Sequence, residues 1–81
     1  MLKIYGSMLC KDCVQCLHEL DKAGVLYTYL DFSDDLRNLK EFLVLRETLD
    51  LFASVKEAGG IGIPCLVEES GEITLSWEKY I

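Results

Sequence analysis

Hydrophobic residues alternate with polar ones near both ends of the chain and recur every three to four positions in its middle. Alternation is typical of half-buried strands, and the longer spacing is typical of amphipathic helices. The pattern predicts four strands, at residues 2–6, 25–32, 64–69 and 72–76. It also predicts helices at residues 11–23, 34–46 and 48–57, with a last helical turn at 77–81.

The order of these elements, β-α-β-α-(α)-β-β, predicts an α/β fold. Two strands that flank a helix form a parallel pair joined by a right-handed crossover. The last two strands are separated by Ser70-Gly71, a turn that favours an antiparallel hairpin. We therefore expect a four-stranded mixed sheet covered by helices, with the final helix short or missing. A chain of 81 residues is expected to form a single domain over residues 1–81.

Two details of the helices follow from the same pattern. The first helix carries an apolar stripe formed by Val14, Leu17 and Leu20, and Gly24 stands where the helix should stop. Ser33 is predicted to be the N-cap of the second helix, because its hydroxyl can accept a hydrogen bond from the first turn. Asp34 and Asp35 would then lie in that turn, where the helix dipole stabilises negative charge.

Charge and cysteine content narrow the class of protein. The chain has 14 acidic and 8 basic side chains, a net charge of −6, and no basic cluster, so we expect no nucleic-acid partner. It has no apolar run of about 20 residues and no leader-like N-terminus, which predicts a cytoplasmic protein without a membrane partner. Four cysteines in that compartment indicate catalytic thiols, metal ligands or core residues.

Cys10 and Cys13 form a C-x-x-C pair where the first strand meets the first helix. Backbone N–H groups at a helix N-terminus have no partner inside the helix, and they favour a thiolate over a thiol at Cys10. Cys13 lies one turn deeper, where its sulfur could attack a mixed disulfide formed at Cys10. The spacing therefore predicts reversible thiol–disulfide exchange.

The C-K-D-C motif after a short first strand, with Ile63-Pro64 opening the third strand, resembles the thioredoxin superfamily. The small size and the lack of an N-terminal β-α extension are similar to its glutaredoxin branch, and the resemblance extends over nearly the whole element order. It implies a thioredoxin-like, glutaredoxin-type fold with Cys10 and Cys13 as catalytic residues. It also implies a cis bond before Pro64, and it makes Ile63 and Pro64 the residues that bind the substrate beside the two sulfur atoms, with Ile63 offering its main-chain groups.

The resemblance implies a disulfide reductase that needs no cofactor. Its substrate would be a disulfide in a protein or a small molecule, and a thiol or a reductase would serve as electron donor. Ser7, Met8 and Leu9 stand where glutaredoxins usually carry a basic residue, and residues 74–78 lack the glycine pair that helps to cradle glutathione. Glutathione use is therefore not carried over to this chain.

Cys16 and Cys65 leave a second interpretation open. Together with Cys10 and Cys13 they could form a four-cysteine site for zinc or an iron–sulfur cluster, which would make the chain a metal-binding or cluster-carrier protein. Cys65 has no C-x-x-C companion, however, and its side chain could point away from the helix. Alternatively, Cys16 and Cys65 are small buried apolar residues. A third interpretation is an inactive scaffold for protein contacts, supported only by Trp77 and the extra helix.

Some residues permit either a functional or a structural role. Arg46 and Lys56 could reach the rim of the site and steer an acidic substrate, or could extend their charged ends from the edge of the core. Tyr5, Tyr27 and Tyr29 are interpreted as strand residues that pack on helices.

Overall fold

In the computed structural model, which describes residues 1–81, four strands form one mixed sheet. The strands are β1 (Leu2–Gly6), β2 (Tyr27–Asp31), β3 (Cys65–Val67) and β4 (Ile73–Thr74). Their order across the sheet is β2-β1-β3-β4. β1 and β2 are parallel, whereas β3 is antiparallel to both β1 and β4. The predicted α/β class, the parallel first pair and the terminal hairpin are confirmed.

Three helices connect and cover the strands: α1 (Lys11–Lys22), α2 (Leu36–Thr48) and α3 (Ala53–Glu57). The predicted break in the second helical segment is present, but it falls at Leu49, whose extended backbone (φ −105°, ψ 132°) ends α2. A 3₁₀ turn at Asp50–Phe52 then leads into α3, and a second one at Glu78–Tyr80 ends the chain. None of the helices combines the length and the apolarity that crossing a bilayer requires.

The start of α2 differs from the prediction. Asp35, not Ser33, is the N-cap, and its Oδ1 accepts a hydrogen bond from the Arg37 backbone N–H at 2.9 Å. Ser33 belongs to a tight turn after β2, because its own N–H donates to Oδ1 of Asp31 at 2.7 Å. The hydrogen bond to the Asp31 carboxylate holds Ser33 in this turn, and α2 begins two residues later than the sequence predicts.

β1 has the predicted bounds, whereas β2, β3 and β4 are shorter than the sequence predicts. Pro64, expected to open the third strand, lacks the N–H group that would join the ladder, and the strand begins at Cys65. The hairpin turn closes through Gly71 N–H to Glu68 O and Glu68 N–H to Glu72 O, each 2.8 Å. These turn contacts leave only Ile73 and Thr74 in β4.

The core has two parts, one on each face of the sheet. The part beneath α1 is formed by Leu2, Ile4, Cys16, Leu20 and Leu66, with Trp77 and Tyr80 packed against it. The part beneath α2 is formed by Tyr5, Phe42, Phe52 and Cys65. Successive side chains of a strand point to opposite faces of the sheet, so adjacent residues of β1 and β3 belong to different parts of the core. Cys65 and Leu66 therefore lie on different sides of the sheet.

The buried face of α1 is displaced from the predicted apolar stripe. It consists of Cys13, Cys16 and Leu20, while Leu17 is half-buried and Val14 is 42% exposed. Cysteine packs as a small hydrophobic residue, so a helix face that contains two cysteines can cover the sheet as the predicted apolar stripe would. The prediction was wrong for Val14, and the true face points two sulfur atoms at the sheet.

Candidate active site

Cys10 is the N-cap of α1 and follows directly from the loop after β1. Its backbone N–H donates to Ser7 O at 3.0 Å, and its side chain makes no capping hydrogen bond. The thiol is free and partly exposed. The first N–H groups of α1, like those of any helix, lack intrahelical partners and offer stabilisation to a thiolate at this position. The structure therefore places Cys10 where the sequence predicted.

Cys13 lies one turn further along α1 and is fully buried. Burial raises the pKa of its thiol to about 12; the adjacent Cys10 thiol adds to the rise, and the Ser7 backbone opposes it. The Cys10 side chain lies close enough to Cys13 to influence its ionisation. One partly exposed thiol thus lies near one buried thiol, and both are reduced in this structure.

Gly6, the last residue of β1, makes the space for Cys13. A Cβ atom at position 6 would lie 2.7 Å from Cys13 Sγ and 3.0 Å from Tyr29 Oη. Both distances are shorter than van der Waals contact, so only glycine lets these two side chains meet over the end of β1. Sequence reasoning missed both Gly6 and Tyr29 as site residues. No local signal identifies them, because the contact depends on pairing between β1 and β2.

Ile63 and Pro64 lie on the loop that leads to β3. The Ile63–Pro64 peptide bond is cis, as the resemblance implies, and Pro64 is buried. Neither the N–H nor the C=O of Ile63 makes a hydrogen bond within the chain. Ile63 and Cys10 line a common groove of about 520 Å³ together with Ser7, Leu9, Phe32, Leu39 and Ile61. Cys10 and Ile63 are thus brought to one groove, with the unpaired main-chain groups of Ile63 near the partly exposed thiol.

The lining of the groove is apolar apart from Ser7 and carries no charged side chain. Leu9 is 93% exposed immediately before Cys10, and Met8 and Ile61 are more than half exposed nearby. Large hydrophobic side chains that stay accessible around one thiol are typical of a surface that receives another molecule.

Arg46 holds the loop that carries Ile63. Its guanidinium donates from Nε to Ile61 O at 2.8 Å and from Nη2 to Gly60 O at 2.9 Å. Lys56 Nζ lies 3.8 Å from a carboxylate oxygen of Glu47. The predicted role of Arg46 at the rim therefore takes a different form, since its charge binds backbone carbonyl oxygens rather than facing the groove.

Cys16 and Cys65 occupy separate parts of the core. Burial raises the pKa of each thiol to about 12, and each side chain is fully buried among apolar neighbours. The sheet lies between them, so the four cysteines do not form one ligand set. No three histidine, cysteine, aspartate or glutamate side chains are arranged to hold a metal ion. Both residues are placed as the apolar interpretation predicted.

A protein of Haemophilus influenzae, described as an uncharacterized protein, is 36% identical to this chain over 76 residues. The matched region covers 94% of this chain and 88% of the relative. No family model matches the chain, and no solved structure matches it. Identity at this level over nearly the full length of both proteins shows common descent. The chain therefore belongs to the same family as the H. influenzae protein.

Proposed function

We propose that the protein is a thiol–disulfide oxidoreductase with a thioredoxin-like, glutaredoxin-type fold, in which Cys10 and Cys13 form the redox pair. The observation that carries the proposal is the placement of a partly exposed thiol at a helix N-cap and a buried thiol one turn behind it. The mixed sheet and the position of the pair between β1 and α1 agree with the resemblance to the thioredoxin superfamily.

The reaction proceeds in two exchanges. The Cys10 thiolate attacks one sulfur of a disulfide R–S–S–R′, forms Cys10–S–S–R and expels R′–S⁻, which takes up a proton. Cys13 then attacks Cys10 Sγ, forms the Cys10–Cys13 disulfide and expels R–S⁻, which takes up the proton that Cys13 loses. The substrate gains two electrons and the cysteine pair loses two. A thiol or a reductase, acting as electron donor, returns the pair to the dithiol.

The groove beside Cys10 supports a peptide substrate. The free N–H and C=O of Ile63 can pair with an extended backbone in the manner of an added strand. The apolar lining, with Leu39 and Phe32, suits a hydrophobic side chain next to the substrate cysteine. Glutathione carries two carboxylates, and no cation lines this groove to pair with them. We therefore propose disulfides in protein segments as substrates in preference to glutathione.

Replacement of single cysteines tests the proposal. We expect Cys10→Ser to abolish the reduction of insulin by dithiothreitol in the presence of the protein, because no accessible nucleophile remains. We expect Cys13→Ser to accumulate a covalent adduct with the substrate, visible by mass spectrometry, because the second exchange cannot occur. Cys16→Ala is the matched control and retains turnover. Full turnover in the Cys10→Ser protein would contradict the proposal.

A metal or cluster-carrier function has no comparable support, since Cys16 and Cys65 lie on opposite faces of the sheet. Metal analysis of protein purified without oxygen provides an independent check. About one equivalent of bound zinc or iron that is lost in both Cys16→Ala and Cys65→Ala proteins would favour that function instead.

A further inference from the structure

The hydroxyl group of Tyr29 is buried and has no hydrogen-bond partner in the structure. The ring packs against the part of the core beneath α1, where phenylalanine would fit equally well. Buried hydroxyl groups are nearly always satisfied in folded proteins, because an unpaired donor has lost its hydration without replacement. The unpaired hydroxyl of Tyr29 therefore requires an explanation other than packing.

The position of this hydroxyl supplies the explanation. Tyr29 pairs with Ile4 in the parallel ladder, two residues before the Gly6–Asp31 pair, so Tyr29 and Asp31 lie on the same face of β2 as Ile4 and Gly6 do on β1. Its Oη and Cys13 Sγ both lie within 3.0 Å of the point that a Cβ atom on Gly6 would occupy. The buried donor and the recessed sulfur are therefore neighbours over the same glycine.

We propose that the Tyr29 hydroxyl donates a hydrogen bond to Cys13 Sγ as this sulfur becomes a thiolate and attacks the mixed disulfide at Cys10. Tyr29 is then a catalytic residue of the second exchange. This inference rests on the proposed function and assigns a role that neither the C-x-x-C motif nor the groove supplies.

The protonation state of Cys13 decides whether the hydroxyl has a partner. A thiol is a weak acceptor, so the dithiol form leaves the Tyr29 donor without a strong hydrogen bond. A thiolate is a strong acceptor, and hydrogen bonds to charged acceptors are shorter and stronger than neutral ones. The donor is thus unpaired in the resting protein and paired during the second exchange.

Cys13 needs such a donor because its environment opposes ionisation. Burial raises the pKa of Cys13 to about 12, and only the Ser7 backbone and the Tyr29 hydroxyl act in the opposite direction. Removing the hydroxyl therefore leaves the Ser7 backbone as the single group that stabilises the thiolate.

The proton of Tyr29 stays on its oxygen throughout. Burial raises the pKa of Tyr29, and negative charge on Cys13, Asp31 and Cys10, the titratable groups that face it, adds to the rise. A phenol with a raised pKa is a donor and not a base near neutral pH. The proton that Cys13 loses therefore goes to the leaving thiolate of the substrate, and the two exchanges remain balanced.

Tyr29→Phe tests the inference, and Tyr27→Phe is its matched control. Tyr27 lies on the same strand and packs against the same part of the core, but its hydroxyl donates to Asp21 Oδ1 at 2.8 Å, away from Cys10 and Cys13. The probe is the aromatic disulfide of Ellman's reagent, used with the reduced protein in excess. The first coloured thiolate reports attack by Cys10, and the second reports attack by Cys13.

We expect Tyr29→Phe to release the first thiolate at the wild-type rate and the second about tenfold or more slowly. The pH at which the second release becomes fast should also move upward, which a purely structural role would not cause. Tyr27→Phe should match the wild type in both phases. Melting temperatures of the reduced variants verify that both are folded.

Three results would overturn the inference: an unchanged second phase in Tyr29→Phe, an equal slowing of both phases, or an equal slowing in both variants. The proposed function fails separately, if the wild-type protein itself releases no second thiolate.

Discussion

Arg46 donates a hydrogen bond from Nε to the carbonyl oxygen of Ile61 at 2.8 Å, and so connects α2 to the loop that carries Ile63. The Arg46 side chain is 23% exposed, and the second hydrogen bond of its guanidinium, to Gly60 O, holds the same loop. A side chain on the helix thereby positions the main chain to which we assign substrate binding.

Replacing Arg46 should weaken substrate binding without changing the cysteines. We expect Arg46→Met to raise KM for a peptide disulfide by about threefold to tenfold, because two charge-assisted hydrogen bonds to the loop are lost. The rate at which Cys10 reacts with iodoacetamide should not change. Arg37→Met is the control, since Arg37 pairs with Asp35 on the surface. Steady-state kinetics separate the effect on KM from that on kcat, and an equal KM in both variants would refute this role.

Only Cys10 should react rapidly with an alkylating agent in the folded, reduced protein. The other three thiols are fully buried, and burial raises the pKa of Cys13, Cys16 and Cys65 to about 12. Brief treatment with iodoacetamide near neutral pH, followed by peptide mass spectrometry, should therefore find one adduct, at Cys10. A second adduct formed at a similar rate would show that the other thiols are accessible.

Gly6→Ala should impair the cysteine pair through a direct clash. The added Cβ would lie 2.7 Å from Cys13 Sγ, so α1 or the sulfur must shift. Overpacking of this kind costs about 1–3 kcal/mol in the free energy of unfolding, measured by urea denaturation.

Gly24→Ala provides a control for Gly6→Ala. Gly24 adopts a positive φ of 73° with open space around it, so alanine is strained there without touching the site. Both variants should lose stability, but only Gly6→Ala should also slow disulfide exchange. Normal exchange by Gly6→Ala would contradict the arrangement described for Cys13.

Stability should fall in alkaline solution. Buried Cys16 and Cys65 have pKa values of about 12 in the folded protein, against about 8.5 in an unfolded chain. Between these values the unfolded state releases protons that the folded state retains, so rising pH favours unfolding. Each thiol lowers the free energy of unfolding by about 1.4 kcal/mol per pH unit in that window.

Urea denaturation of the reduced protein at several pH values from 8 to 10 measures this slope. The variant with both Cys16→Ala and Cys65→Ala should show a shallower pH dependence than the wild type. An identical slope in the two proteins would mean that these thiols already ionise in the folded state.

The sequence predicted the architecture well because its signals were local. The turn at Ser70-Gly71, the glycine after the first helix and the C-x-x-C at a strand–helix junction each depend on residues close in the chain. The helical spacing of Val14, Leu17 and Leu20 predicts that Val14 lies on the apolar face of the first helix. The structure instead buries Cys13 and Cys16, and the helix is rotated accordingly.

Other features of the site depend on contacts that no local pattern encodes. Tyr29 meets Cys13 only because β2 pairs with β1 in one particular register, Ile4 with Tyr29. Arg46 reaches Gly60 and Ile61 across 14 and 15 positions of sequence, after the chain has reversed through α3. These contacts join residues that are far apart in the chain, and a single sequence does not show which distant residues meet in the fold.

The sheet also limits which sulfur atoms can ever bond in the folded protein. Cys65 lies behind it, whereas Cys13 and Cys16 face the opposite side. A crosslink from Cys65 to either of them would require the strands to separate. Disulfide exchange between Cys65 and the two buried cysteines of α1 is therefore blocked while the sheet is intact, and a Cys10–Cys13 disulfide can be reversed by reducing a single bond without refolding.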